Sequence, residues 1–285
     1  MACSGRTSEH KLKKFNSLWV GDRLGYLEVL CLKSALAMGH EFVLYSYTPH
    51  TLSVPEGVEV RDAAEIMPED KLLRYADTGS VALGANLWRY ELMAKDLGYW
   101  VDMDLIFLKP FDFPGDYVFG WEHENWINNA VLLAPAESGM TKSLRMLPRD
   151  NQRPPWFGPR RSLTYYWRRL TTGKGMKMGT IKVAEMPWGT YSAGLVTYVA
   201  KKQGVSAHAQ PPSVFYPVRW KDATTLYGPA EHIQAQITND TRAVHMWNSR
   251  LTSLFDKPPP EGSYIAEACR KFGVEPSEQL SSMSC

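Results

Sequence analysis

The sequence predicts an α/β fold: a mostly parallel central sheet flanked by helices, with a more irregular C-terminal half. Three observations predict it. Short apolar strands end in glycine or in polar turns, helix-period stretches lie between them, and after the first third this alternation gives way to Pro- and Arg-rich sequence.

The elements follow in order. Ser17 to Gly21 (SLWVG) reads as a short apolar strand closed by glycine. From Leu24 onward, apolar or small side chains recur at Leu27, Cys31, Ser34, Ala35 and Met38, a helical period that stops at Gly39, a residue suited to the position after a helix. Glu41 to Tyr47 reads as the second strand and Gly57 to Ala63 (GVEVRDA) as a third. Between Val81 and Leu97 one stripe carries Leu83, Leu87, Tyr90, Ala94 and Leu97, which predicts an amphipathic helix closed by Gly98. Asn86 and Arg89 are three apart, hence neighbours on a different face of it. Tyr99 to Val101 is the next strand, and Asp116 to Glu122 and Asn128 to Pro135 are strand-like. A helix is expected over Ser192 to Gln203. Lys257 to Gly262 (KPPPEG) reads as a linker before a short helix at Ser263 to Phe272. The chain therefore divides into a polar tail (1–14), one main domain (15–255) and a terminal segment (256–285) of linker, short helix and frayed end.

Composition excludes several classes. With 44% hydrophobic and 22% charged residues, 285 residues suffice for a sizeable core. The 32 basic and 30 acidic side chains nearly cancel, so bulk charge gives no support to a nucleic-acid binder and any phosphate recognition is local. Cys3, Cys31, Cys269 and Cys285 are scattered without a CxxC pair, which suggests neither a disulfide framework nor a zinc site and fits a reducing compartment. No apolar run approaches the ~18 residues of a membrane span, and none of signal-peptide length follows the basic opening. A soluble cytoplasmic protein is expected. Ten tryptophans offer flat faces for stacking on sugars or bases, although core packing is their commoner use.

The stretch "GYWVDMDLIFLKPFDF" (Gly98 to Phe113) carries the chemistry. Asp102 and Asp104 fall at the end of a strand, where open α/β sheets bind ligands. A converging carboxylate pair is costly unless a cation neutralises it, and hard oxygen ligands of this kind suit Mg²⁺ or Mn²⁺. On an extended segment residues two apart point the same way, so the pair is expected to converge while Met103 faces away.

Five ordered motifs, SLWVG, GANLWRYELMAKDLGYWVDMDLIFLKPFDF, INNAVLLAP, VFYPVRW and AVHMWNSR, resemble the DXD-motif glycosyltransferases of the GT-A type over roughly residues 15 to 250. The likeness is to the sugar-binding-region group with α-1,4-galactosyltransferases and yeast-type initiating mannosyltransferases, especially its small soluble bacterial members. It implies a GT-A, Rossmann-like fold, a catalytic domain over 15–255, and transfer of a hexose from a nucleotide-sugar, UDP-sugar before GDP-sugar, to a saccharide or lipid-linked acceptor, with retention.

The resemblance also implies site residues. Asn86 and Arg89 match a Ser-Asp/Asn-x-x-Arg pattern that contacts the donor sugar and phosphate, with Ala85 where Ser is usual. Arg89 offers a fork of donors for that role. Leu97-Gly98 replaces a Gly-Gly pair. Trp19 and Val20 match a position beside the nucleotide base, with a core role as the competing reading. Asn128 and Asn129 are placed near donor sugar or acceptor. His245 is a metal ligand or phosphate partner, and Trp247 and Asn248 line the same pocket. Ser192-Ala193 stands where the family has Gly-Pro. Two rivals are a phosphatase of the aspartyl-phosphate type, disfavoured because Leu105 and Ile106 follow the pair, and an inactive sugar-binding relative. Glu122 and Glu124 read as surface carboxylates.

One stretch stays outside this scheme. Arg153 to Leu170 (RPPWFGPRRSLTYYWRRL) combines Arg160, Arg161, Arg168 and Arg169 with Trp156, Tyr165, Tyr166 and Trp167. Its readings are a peripheral membrane surface, a phosphorylated saccharide, single-stranded nucleic acid, which the near-neutral total charge disfavours, or a packed helix with snorkelling arginines.

Overall fold

The computed structural model describes residues 12–171, 182–255 and 257–276. Most of the polar N-terminal tail and the end of the C-terminal segment lie outside the described residues, as do Cys3 and Cys285. Cys31 and Cys269 are buried free thiols.

In chain order the main elements are β1 (Phe15–Trp19), α1 (Tyr26–Ala37), β2 (Phe42–Ser46), β3 (Val58–Asp62), α2 (Ala82–Ala94), β4 (Tyr99–Val101), β5 (Leu105–Phe107), β6 (Val118–His123) and β7 (Trp126–Leu133). Then follow α3 (Gly139–Met146), α4 (Pro159–Thr171), α5 (Ala193–Lys202), α6 (Pro212–Phe215), α7 (Ala230–Gln234), β8 (Ala243–His245), α8 (Asn248–Leu251) and α9 (Tyr264–Phe272). Six strands form one sheet in the order β3-β2-β1-β4-β7-β6. The first four run parallel, and β7 and β6 are added antiparallel. Beside it, β5 and β8 pair antiparallel, with Leu105 opposite His245. This mixed α/β architecture, a mostly parallel sheet covered by helices, is of the GT-A Rossmann-like kind.

Both faces of the sheet are buried, as βαβ crossovers require. Alternate residues divide between two cores: Phe42 and Leu44 pack on one face with α1 and α9, Val43 and Tyr45 on the other beside Trp88 of α2. The expected stripe on α2 is incomplete. Trp88, Leu92 and Met93 are fully buried as well, because α2 is covered by the sheet on one side and α3 on another.

Two strands, α3 and the one-turn helices α6, α7 and α8 go beyond the sequence reading. β5 and β8 are three residues each, too short for periodicity to register. α3 is announced only by its N-cap, where the Ser138 hydroxyl accepts from Thr141 N at 3.1 Å. Within the Arg- and Trp-rich stretch, Pro159–Thr171 is helical, with proline in the first turn.

Gly98 sets the entry to β4. Its φ is +108°, and a Cβ there would lie 2.5 Å from Lys14 O, so glycine is obligatory at this position. No such constraint applies to Leu97, which explains why one glycine of the usual pair is dispensable. Among the described residues no helix is long and apolar enough to cross a membrane.

Candidate active site

The aspartates lie at the C-terminal edge of the parallel strands, but not on an extended segment. β4 ends at Val101 and the chain turns through Asp102 to Asp104 before β5. Asp102 N donates to Ala130 O of β7 at 2.7 Å, and Met246 N donates to Asp104 O at 2.7 Å. The turn is thus fastened to both sheets around the buried Met103, and this anchoring, rather than strand periodicity, makes the two carboxylates converge.

One side of the site is built by α2, β4 and β7. Trp100 Nε1 donates to Asp102 Oδ1 at 2.7 Å, and Arg89 Nη1 lies 3.2 Å from the same oxygen. The Arg89 guanidinium sits over the Trp100 ring, 4.4 Å from its centre, and donates to Asn129 O at 2.6 Å. Asn129 Nδ2 in turn donates to Asn86 Oδ1 at 2.9 Å. Both Asn86 and Arg89 are buried, so the face they share is an inner one. Asn128 donates to Glu122 Oε2 at 2.9 Å, which makes Glu122 part of this neighbourhood rather than a free surface carboxylate.

The other side comes from residues some 140 positions later. Pairing of β8 with β5 brings His245 Nε2 to 3.1 Å from Asp104 Oδ1. Asn248 N donates to Asp104 Oδ2 at 3.0 Å. Between them Trp247 adopts left-handed backbone, φ 61°, a strained conformation held by its Nε1 bond to Val218 O at 2.9 Å. Its ring meets that of His245 edge-on at 3.9 Å. Asn248 Nδ2 donates to Glu28 Oε1 at 2.9 Å, and the other Glu28 oxygen accepts from Gly25 N at the start of α1.

Trp19 and Val20 lie at the end of β1, on the same sheet edge; Trp19 Nε1 is engaged by Arg23 O at 3.1 Å. Sequence reasoning passed over three residues. Trp100 is two positions from Asp102, a spacing that could have signalled it. Tyr216 lies inside VFYPVRW, and its buried hydroxyl has no hydrogen-bond partner. Glu28 carries no local signal of its role.

Charge follows this geometry. Burial lifts the Asp102 carboxyl above its usual range despite Arg89. Burial acts the same way on Asp104, but the His245 imidazole outweighs it and holds Asp104 low. Burial disfavours the His245 cation, yet Asp104 raises its pKa overall. Burial pushes Glu28 up to about 7.

The donor set fits a divalent metal. Single ligand atoms from Asp102, Asp104 and His245 all lie within 4.8 Å of one another. The His245 nitrogens are buried without hydrogen-bond partners, Nε2 being close to Asp104 but out of line for a hydrogen bond. Orphaned imidazole nitrogens beside two carboxylates are the arrangement a cation resolves. The carboxylates remain 26% and 16% exposed, so the group opens to ligands.

The fold and this Asp-Asp-His group define an α/β protein with a divalent-metal-capable site at its sheet edge. Residues 187–276 match the family model described as the alpha 1,4-glycosyltransferase conserved region, a span that contains His245, Trp247 and Asn248. The match indicates a glycosyltransferase. A search of curated proteins gives no match.

Proposed function

We propose that the protein transfers a hexose from a nucleotide-sugar, UDP-sugar in preference to GDP-sugar, to a saccharide or lipid-linked acceptor with retention of configuration, and that residues 15–255 are its catalytic domain. The observation that carries this is the convergence of Asp102, Asp104 and His245. In this reading those three hold Mn²⁺ or Mg²⁺, whose charge offsets that developing on the leaving diphosphate. Asp104 and His245 are pre-set for it, one carboxylate and one imidazole held in contact. Arg89 fixes Asp102 and adds a nearby positive charge. Asn86, Asn128 and Asn129 offer amide groups for sugar hydroxyls, Trp247 and Asn248 line the diphosphate side, and Trp19 and Val20 flank the base. Ser192, where the resembled family has Gly, is the N-cap of α5.

Thermal-shift screening of UDP- and GDP-sugars with and without Mn²⁺ tests the proposal. Metal-dependent stabilisation by one donor series is expected, about 2.7 kcal/mol at a hundredfold excess over Kd. Equal shifts with and without metal would count against it. Product analysis with the preferred donor then decides between turnover and an inactive sugar-binding relative.

A further inference from the structure

α4 presents an apolar face that no part of the described protein covers. Ser162 and Tyr165 point inward, while Leu163 is 71% and Trp167 64% exposed. These two residues are one helical turn apart and share a stripe with Arg160, also exposed. Single exposed apolar residues are ordinary; a Leu-Trp pair on one stripe beside an arginine is not.

The charge around it is one-sided. Of the chain's 32 Lys and Arg and 30 Asp and Glu, residues 151–184 hold eight basic and no acidic side chains, so the near-neutral total hides a local basic segment and a net acidic remainder. Val183 N, near the end of this segment, donates to Asp150 Oδ1 just before it at 2.8 Å. At its base Trp156 packs on Tyr191 and Tyr198 of the α5 region.

We propose that the outer face of α4 docks on an anionic lipid surface. Trp167 and Leu163 enter the headgroup boundary, where an indole suits the interface, and Arg160 meets lipid phosphates. A nucleic acid would use the basic charge but has no need of Leu163, and a second copy of the chain would bring the same basic face against itself.

The test is co-flotation of the full chain with vesicles of phosphatidylcholine alone or mixed with phosphatidylglycerol, at low and high salt. Binding to the anionic vesicles that falls with salt is expected. Trp167→Ala should weaken it at least about tenfold, and Arg160→Gln about fivefold. Both side chains are exposed, so unchanged melting is expected and is checked first. Absence of binding to anionic vesicles overturns the proposal, as does binding that Trp167→Ala leaves intact. Equal affinity for a single-stranded oligonucleotide, or a concentration-dependent dimer lost in Trp167→Ala, overturns it in favour of those occupants.

Discussion

Glu28 accepts a hydrogen bond from Asn248 Nδ2 at 2.9 Å, joining the first helix to a turn 220 residues later. Asn248 N reaches Asp104, so Glu28 is one step removed from the metal-capable group. Groups that hydrogen-bond behind a metal ligand orient it. Glu28→Ala strands two donors, Asn248 Nδ2 and Gly25 N, and is expected to cost about 2 kcal/mol of stability and about tenfold in Mn²⁺ affinity. Urea denaturation and metal titration measure the two separately.

The same residue gives a pH signature. Its folded pKa of about 7 lies above the ordinary 4.5, so its contribution is fully present below 4.5 and is lost as pH rises through 7. Glu28→Gln does not titrate. The stability of the wild type relative to Glu28→Gln should therefore fall by about 3 kcal/mol between those limits. A constant difference across paired urea melts would refute it.

Asp104→Asn keeps an acceptor for Asn248 N while removing the charge that faces His245. Mn²⁺ binding by calorimetry should be lost with little change in melting temperature, and metal-dependent nucleotide-sugar binding should go with it. Asp102→Asn should likewise lose Mn²⁺ binding, but with a lowered melting temperature, because it leaves the buried Arg89 guanidinium without its counterion.

Arg89 has a structural role. Its guanidinium neutralises Asp102, stacks on Trp100 and bonds Asn129 O, so Arg89→Ala leaves a carboxylate without its counterion. Because Asp102 is a quarter exposed, the cost is about 2 kcal/mol rather than that of a fully buried pair. Adding Asp102→Asn should recover part of it; strict additivity in the double-mutant cycle would show that the two side chains do not interact.

At the entry to β4, Gly98→Ala forces a Cβ against Lys14 O in a left-handed backbone and should destabilise by about 2 kcal/mol or more. Leu97→Gly should do far less. Thermal melts of the two variants compare them directly.

Most of the sheet was legible in the sequence because its cues are local: apolar runs, helical period and the glycines at 39 and 98. The carboxylate pair was legible for the same reason, as a short motif after a strand. The Asp-x-Asp spacing predicted convergence through an extended segment, whereas the turn is shaped by Ala130 and Met246, groups that lie far along the chain. Glu28 left no local sign of its role, and α2 hides its second buried side because that side answers to α3.

What the sequence determined by itself was the alternation of elements, the position of Asp102 and Asp104 at a strand end and the basic, aromatic character of residues 153–170. Only tertiary structure decided that His245 faces Asp104, that Arg89 is spent on Asp102, and that Glu28 braces Asn248. Propensity and periodicity act over a few neighbouring residues, while those contacts depend on the pairing of β8 with β5 and of β7 with β4, which bring distant side chains together only after the chain has closed on its core.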